Sequence, residues 1–395
     1  MRRTGTALVA LAALMTVMVP EASPGVATTR AAEPVSRAAA TVPVLHVSHQ
    51  VSGLSIPWDV QNLPGGRLLI DERTDRKLLV YSGGTTTTVS FPSSSVWASG
   101  ETGLMGLAVD PAFASNRRIY TCQGGFTSGG GHDVRVVAWR MNDAYTAVTQ
   151  QRILVSGFPT SSGRHGGCRL LITRGGALVV GTGDAATGTN PQNLRSLGGK
   201  TLRLNRISGA PWPSNPWPHA ASKARRYVYT YGHRNVQGLS QRADGTLWSV
   251  EQGTYRDDEV NRLVRGGNYG YNPVPGYNES VPMTNFKLPG RQYGAKWRSG
   301  TSTLATSGAT WVRGRQWGVL NGTLAVASLK ANRLTFLKFD KNGKLLSVRN
   351  PAALRTSGRL RSVTVAPNGD LLITTSNSTD QSPDADVVLR VHPTL

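Results

Sequence analysis

The sequence predicts an all-β fold, specifically a six-bladed β-propeller, from three observations. A turn, an alternating strand, a short gap and a second alternating strand recur six times. The chain has 45 Gly and 22 Pro in 395 residues, which favours tight turns over long helices. No continuous helical periodicity of more than three turns stands out. Because units of three or four strands repeated around an axis are typical of propellers, six units predict six blades.

The six strand pairs follow one another along the chain. They are GGRLLIDE with RKLLVYS, NRRIYTCQ with RVVAWRM, GGALVVGTGD with KTLRLN, DGTLWSVEQG with DEVNRLV, NGTLAVASLK with NRLTFLKF, and NGDLLITTSN with VVLRVHP. Each first strand follows a glycine or polar turn and ends in small polar residues. A third strand precedes several pairs, as in GLMGLAVDP, CRLLIT, VQGLSQR and RSVTVAP. A pair of β-sandwiches is the structural alternative, but it does not predict this recurrence along the whole chain.

We expect the first strand of each pair to run beside the central axis of the propeller. The polar endings GDA, EQG, SLK and TSN would then meet at one mouth. The candidate functional site is therefore assembled from segments that are far apart in sequence.

The N-terminus has the pattern of a secretory signal. Arg2 and Arg3 precede an apolar run from Ala7 to Val19, which is too short to span a bilayer. We expect a signal peptide at 1–27, a flexible tail at 28–42 and the propeller at 43–395. The mature protein is expected to be secreted, without membrane insertion. In that setting Cys122 and Cys168 are best interpreted as one disulfide, with a reactive thiol as the alternative.

The charge is strongly positive, with 44 Lys and Arg against 22 Asp and Glu, for a net charge of +22. Such a field favours anionic surfaces or ligands. The sequence has no nucleic-acid motif and no basic amphipathic helix, so nucleic acid is not an expected partner. Adaptation to an anionic cell wall or to an acidic medium is the preferred explanation of the overall charge, and association with an anionic cell wall is an expected property.

Several segments together resemble one known family. They are GLMGLAVDPAF (103–113), GRHGGCRLLI (163–172), GTGDA (181–185), GGKTLRLN (198–205), YGHRNVQGL (231–239), EQGTYRDDEVNRLVRGGNYGY (251–271), SLK (328–330) and GRLRSV (358–363). In this order they resemble the soluble quinoprotein glucose dehydrogenases and their glucose/sorbosone dehydrogenase relatives. The resemblance covers roughly residues 50 to 390 and implies a six-bladed propeller that binds pyrroloquinoline quinone (PQQ) with calcium.

The resemblance implies a base and its partner. His165 matches the catalytic histidine and Asp184 the aspartate that orients it, although a loop histidine bonded locally is the alternative for His165. A neutral imidazole held in one tautomer by a carboxylate suits removal of a hydroxyl proton. Arg234 and Asn235 would lie over the quinone edge, where a cation stabilises developing negative charge. The neighbouring His233 is interpreted as structural.

The remaining implied contacts concern cofactor and metal. Gln252 would contact the cofactor, and the backbone carbonyls of Gly253 and Thr254 would bind calcium, which prefers oxygen and polarises the quinone carbonyl. Lys330, Arg359 and Arg361 match positions that hold cofactor carboxylates and quinone oxygens. For Arg359 and Arg361 alone, a solvated strand face is the alternative.

Departures from the family pattern concern the substrate side. Arg164 stands where glucose-oxidising members have an acidic residue, and Glu101 where a glutamine contacts substrate. Thr254 replaces a proline. Asp258 is a further substrate candidate, with a solvated turn as its alternative, and Trp297 is a candidate aromatic platform, with core packing as its alternative.

The function implied is a secreted PQQ-dependent, calcium-assisted dehydrogenase that oxidises the anomeric hydroxyl of an aldose or related alcohol. An external acceptor of unknown identity would reoxidise the cofactor. Two alternatives stay open: a propeller that only binds, like the hedgehog-interacting-protein relatives, and a calcium-dependent lactonase. A lactonase needs several carboxylates around its metal, whereas this mouth is predominantly cationic.

Overall fold

The computed structural model describes residues 41–379 and 381–395, so the predicted signal peptide and most of the predicted tail lie outside the described residues. The described chain forms six four-stranded antiparallel sheets. Apolar residues are buried on both faces of the strands, as in Lys77–Ser82, where the consecutive residues Leu78, Leu79 and Val80 are all buried. The predicted all-β six-bladed propeller is confirmed.

The strands are grouped by blade, and each blade is given from its innermost strand outward. Strand β1 is Val44–Leu54. Blade 1 contains β2 (Pro57–Leu63), β3 (Arg67–Glu72), β4 (Lys77–Ser82) and β5 (Thr85–Val89); blade 2 contains β6 (Leu104–Val109), β7 (Arg118–Phe126), β8 (His132–Met141) and β9 (Val148–Phe158); blade 3 contains β10 (Gly167–Ile172), β11 (Ala177–Thr182), β12 (Lys200–Asn205) and β13 (Val228–Tyr231).

The second half of the ring repeats the arrangement. Blade 4 contains β14 (Val236–Gln241), β15 (Leu247–Glu251), β16 (Glu259–Arg262) and β17 (Trp297–Arg298); blade 5 contains β18 (Thr306–Trp311), β19 (Leu324–Ser328), β20 (Arg333–Phe339) and β21 (Leu345–Arg349); blade 6 contains β22 (Leu360–Val365), β23 (Leu371–Thr375), β24 (Asp386–Thr394) and, at its outer edge, β1. The ring is thus closed by a sheet that joins both ends of the described chain.

Helices are short in the described part of the chain. They are α1 (Phe113–Asn116), α2 (Lys223–Tyr227) and 3-10 turns at Pro64–Gly66, Ser93–Ser95, Arg315–Leu320 and Ala352–Leu354. Within the described part of the chain, no helix is long and apolar enough to cross a membrane.

Six hydrophobic clusters lie between neighbouring blades, one at each interface of the ring. Between blades 4 and 5, for example, the rings of Trp248 and Trp311 meet edge to face at 5.4 Å. Each sheet therefore buries both faces against its two neighbours, and no blade has a core of its own. This dependence makes ring closure a condition of stability.

The expectation about the axial strands is wrong by one strand. The innermost strands are β2, β6, β10, β14, β18 and β22, which contact one another around the axis, whereas the first strands of the predicted pairs are the second strands of the blades. The turn signal is strongest between the first and second strands of a blade, so it marks the second strand. Because these two strands are antiparallel, as in Val236 opposite Glu251, the end of one and the start of the other still share a mouth.

The predicted disulfide is confirmed. Cys122 on β7 and Cys168 on β10 are bonded, with Cα atoms 5.4 Å apart and both side chains fully buried. The bond joins blades 2 and 3 only three residues after His165. It therefore restrains the interface that carries the candidate base.

Removing the disulfide should lower stability. The Cys122→Ala/Cys168→Ala double variant is expected to lose about 2–4 kcal/mol in free energy of unfolding, because the bond limits the unfolded ensemble. Denaturant titration followed by tryptophan fluorescence measures this loss. Wild-type protein titrated in strong reductant serves as the control and should approach the variant; equal stability of wild type and variant under oxidising conditions would contradict the prediction.

Candidate active site

His165 and Asp184 form a buried pair at the mouth, between the start of β10 and the end of β11. His165 Nδ1 lies 2.8 Å from Asp184 Oδ1, and both side chains are buried. Because an ionised carboxylate only accepts hydrogen bonds, Nδ1 is the nitrogen that carries the proton when the imidazole is neutral. The lone pair is then on Nε2, which is the atom available as a base.

The local backbone explains how the pair comes so close. A Cβ atom on Gly183 would collide with the carbonyl oxygen of His165, and one on Gly167 would collide with the backbone of Thr182 and Gly183. His165 itself has φ of 56°, a backbone conformation that residues other than glycine rarely adopt. The surrounding structure therefore holds this histidine in an uncommon backbone geometry, as is common at functional sites.

Tyr277 also contacts this pair, and no motif in the sequence pointed to it. Its hydroxyl lies 2.8 Å from Asp184 Oδ2 and 3.1 Å from His165 Nδ1. Burial raises the pKa of Tyr277, and the neighbouring Asp184 raises it further. The phenol is thus neutral and donates its proton to Asp184.

Glu101 links the entry segments of three blades. Its Oε2 accepts from the backbone N–H of His165 at 3.1 Å and from Asn235 Nδ2 at 3.3 Å. Asn235 Oδ1 in turn accepts from the backbone N–H of Gly167 at 3.1 Å. The predicted residues His165, Glu101 and Asn235 therefore lie in one mouth, although they come from blades 3, 2 and 4.

Arg234 and Arg164 share one carboxylate. Glu279 Oε1 lies 2.7 Å from Nη2 of Arg234 and 2.7 Å from Nη2 of Arg164. Arg234 is buried, with 5% of its side chain exposed, whereas 43% of Arg164 is exposed at the rim. Arg234 also donates to the carbonyl of Gln252 at 3.3 Å. The two arginines thus face the mouth from inside and from its edge.

Arg361 is the centre of a group of cations near the axis. Burial, together with the charges of Arg73, Arg359 and Arg169, lowers the pKa of Arg361 to about 9, and Glu101 partly offsets this shift. Its Nε is buried, and no described residue accepts a hydrogen bond from it. Concentrated positive charge without a partner is costly in a folded protein, so this group favours an anionic ligand.

Trp58 and Arg169 form the floor beneath these cations. The guanidinium carbons of Arg169 and Arg361 lie 4.1 Å and 5.8 Å from the centre of the Trp58 ring. Arg169 is neutralised by Asp59, with Nη1 2.7 Å from Oδ2. Blades 1, 3 and 6 therefore converge at this level of the axis, and Arg361 is the cation that this floor leaves without a counter-ion among the described residues.

The other two predicted cations are exposed at the same mouth. Lys330 follows β19 and Arg359 immediately precedes β22. The backbone N–H of Arg359 donates to Asn377 Oδ1 at 2.8 Å, which fixes the entry to β22. Arg73 follows β3 at the corresponding place in blade 1. It was not among the predicted residues, although it stands after a second strand like the other polar endings.

The loop after β15 contains the predicted metal ligands. Asp258 is fully buried, and its Oδ1 accepts from the backbone N–H of Gly253 at 2.9 Å and from Thr303 Oγ1 at 2.8 Å. We therefore reassign Asp258 from substrate contact to support of the 253–258 loop. Within the described residues there is no group of three or more His, Cys, Asp or Glu suited to a metal. A metal here would depend on backbone carbonyls such as those of Gly253 and Thr254.

Trp297 lies away from the mouth. It is on β17, the outermost strand of blade 4, and packs against the cluster that contains Trp248 and Trp311. Because outermost strands are farthest from the axis, we withdraw Trp297 from the substrate set.

His233 is structural, as expected. Its Nδ1 lies 2.9 Å from Glu251 Oε1 and its Nε2 lies 2.8 Å from Thr230 Oγ1. The ring stacks on Tyr269 at 4.6 Å and is fully buried. Since Glu251 also accepts from the backbone N–H of Arg234 at 2.9 Å, His233 and Glu251 fix the turn that presents Arg234.

The arrangement defines a class: a propeller whose axial mouth combines an imidazole–carboxylate pair with a concentration of arginines. The sequence profile described as "Glucose / Sorbosone dehydrogenase" matches residues 54–384, and the chain belongs to this family. The family expected from the sequence motifs is thereby confirmed.

Proteins with similar sequences and structures match this protein over most of its chain. Aldose sugar dehydrogenase YliI of Escherichia coli K12 is 27% identical over 346 residues, which cover 83% of this chain and 89% of the relative. The PQQ-bound aldose sugar dehydrogenase of Streptomyces coelicolor is 27% identical with a TM-score of 0.72, covering 90% of this chain and 100% of that one. The soluble aldose sugar dehydrogenase of Escherichia coli in its apo form is 25% identical with a TM-score of 0.77, covering 89% and 100%.

Replacing Arg361 should stabilise the ligand-free protein. Arg361→Met keeps an unbranched, flexible stem and removes a cation crowded by three others, so the free energy of unfolding is expected to rise by about 1–3 kcal/mol. Chemical denaturation measures the change. Arg359→Met, at an exposed position, is the control and should change stability by less than about 0.5 kcal/mol; a less stable Arg361→Met protein would contradict the interpretation.

Proposed function

We propose that this protein is a PQQ-dependent, calcium-assisted dehydrogenase that oxidises the anomeric hydroxyl of an aldose or a related sugar. The single observation that supports this most strongly is the position of the His165–Asp184 pair in the same mouth as the unpaired Arg361. A base beside a cationic pocket suits removal of a proton from a substrate next to an acidic redox cofactor. The family membership of the chain supports the same reaction class.

The residues of the mouth fit the cofactor. PQQ is a polycarboxylate, and Arg361 Nε has no acceptor among the described residues. Arginines are matched to carboxylates in geometry and charge. In this proposal the cofactor is held by Arg234, Asn235, Gln252, Lys330, Arg359 and Arg361, and Arg73 joins them.

The protein's own residues then have separate tasks. His165 Nε2 accepts the hydroxyl proton of the substrate, while Asp184 keeps Nδ1 protonated and the ring oriented. Bound PQQ supplies the acceptor for the hydride that leaves the anomeric carbon. Arg234, buried and fixed by Glu279 and Gln252, provides positive charge where negative charge develops.

The substrate enters past the rim. We assign this role to Arg164 and Glu101, which are exposed on the mouth side of His165. The Arg164–Glu279 pair offers both donors and acceptors to sugar hydroxyls.

Calcium is assigned to the carbonyls of Gly253 and Thr254. Carbonyl oxygens are hard donors suited to this ion, and Asp258 holds the loop through the N–H of Gly253. The ion would act as a Lewis acid toward the cofactor.

We further propose that residues 1–27 are a signal peptide and that the mature propeller, from residue 43, is exported and attracted to anionic cell-wall material.

The test of the proposal is reconstitution followed by two substitutions. Purified protein given PQQ and calcium is expected to reduce an artificial dye when sugars are added. His165→Ala should lower kcat by about 10²–10⁴-fold and Asp184→Asn by up to about 10⁴-fold, because one removes the base and the other its correct tautomer and orientation. Absorbance titration should show that both variants still bind PQQ.

His46→Ala is the control for these substitutions, because His46 lies exposed on β1 at the outer edge of blade 6. It should behave like wild type. Wild-type protein that binds no PQQ at micromolar concentration would refute the proposal, and binding without sugar oxidation would favour a binding-only propeller.

Removal of calcium should reduce activity more than it reduces the affinity of the protein for PQQ. Chelation of the reconstituted protein is expected to lower kcat at least about tenfold, since Lewis-acid stabilisation is worth several kcal/mol. Dye reduction before and after EDTA, and again after calcium is restored, measures this. Full activity in the chelated, metal-free protein, verified by elemental analysis, would exclude the assigned role of calcium.

A further inference from the structure

The segment between β16 and β17, residues 263–296, brings two side chains onto the candidate active site. Tyr277 contacts Asp184 and His165, and Glu279 contacts Arg234. We propose that Tyr277 is a positioning residue for the base: it holds the Asp184 carboxylate that orients His165. This inference rests on the proposed function, because it assigns the role of Tyr277 relative to that base.

The Asp184 carboxylate is held by hydrogen bonds to both of its oxygens. Its Oδ1 accepts from His165 Nδ1 and from the backbone N–H of Ala186, each at 2.8 Å. Its Oδ2 accepts from the Tyr277 hydroxyl at 2.8 Å. An ionised carboxylate has no proton to donate, so all three partners are donors. Tyr277 therefore prevents rotation of the carboxylate, which would also rotate the imidazole.

The direction of the tyrosine hydrogen bond follows from its surroundings. The hydroxyl of Tyr271 lies 3.4 Å from that of Tyr277 and donates to it, so the order of donation is Tyr271 to Tyr277 to Asp184. A phenol between another phenol and a carboxylate has one proton, and the carboxylate is the stronger acceptor. The tyrosine oxygen then stays close to His165 Nδ1, at 3.1 Å, and excludes water from that side of the ring.

The same short segment also fixes the cation. Glu279 is two residues after Tyr277 and joins Arg234 to Arg164 with two contacts of 2.7 Å. One stretch of blade 4 therefore extends over blade 3 and contacts both the His165–Asp184 pair and Arg234. Outer partners that orient a metal-bound histidine typically contribute about 10–100-fold to activity, and we take this as the expected scale for Tyr277.

The experiment uses the full chain reconstituted with PQQ and calcium. Tyr277→Phe removes only the hydroxyl and is expected to lower kcat by about 10–100-fold, with KM and PQQ affinity close to wild type. Tyr293→Phe is the matched control, because Tyr293 lies in the same segment but its ring packs on Tyr269 at 6.1 Å, away from the mouth. It should keep wild-type kcat.

A second measurement does not depend on activity. In apo protein, the imidazole N–H proton of His165 is assigned by NMR from its loss in His165→Ala. Tyr277→Phe should shift this resonance and speed its exchange with water, because the carboxylate loses a donor and the ring loses its cover. Tyr293→Phe should leave it unchanged.

The outcomes separate the two proposals. An unchanged His165 resonance and an unchanged kcat in Tyr277→Phe would overturn the positioning role. Equal losses of folding signal and PQQ binding in both phenylalanine variants would make Tyr277 merely structural and would also overturn it. If wild-type protein fails to oxidise sugars, the proposed function fails, while the resonance in apo protein still decides the role of Tyr277.

Discussion

The pairing of β1 with β24 is the interaction on which the rest of the structure depends. The first and last strands of the described propeller meet from Val44 opposite Thr394 to Leu54 opposite Asp386. Because each blade buries its faces only against its neighbours, an open ring would leave two sheets with an uncovered apolar face. Closure therefore supports all six interfaces together. It also fixes the relative positions of residues at the axial mouth, which come from every part of the chain.

The axial mouth contains two features that are unfavourable for stability. His165 has an uncommon backbone conformation, and Arg361 has a buried Nε that no described residue satisfies. Each feature is unfavourable by itself, and each persists because the neighbouring strands are held on both sides. The confirmed disulfide at Cys168 restrains the same region. Strain and unpaired charge are thus concentrated at the place where a ligand would relieve them.

Much of the fold was predictable because its signals are local. Alternating residues after glycine or polar turns identified the second and third strands of all six blades, and motifs around His165, Asp184 and Arg234 identified the family. Outer strands were missed because they carry little apolar pattern, as in the mostly exposed β5. Tyr277 and Glu279 were missed because the segment between β16 and β17 has no periodicity and its contacts are made with another blade. Trp297 was misplaced because a local motif does not reveal which way an aromatic side chain faces.

Ring closure by the two ends of the chain has a consequence for biosynthesis. The strand nearest the N-terminus of the propeller, β1, has β24 as its partner, so it leaves the ribosome about 330 residues before that partner is made. Throughout translation its hydrogen-bonding edge is exposed and open to pairing with another nascent chain. Strand β24 therefore closes the ring, and a chain truncated before it would leave the edges of β1 and β23 unpaired.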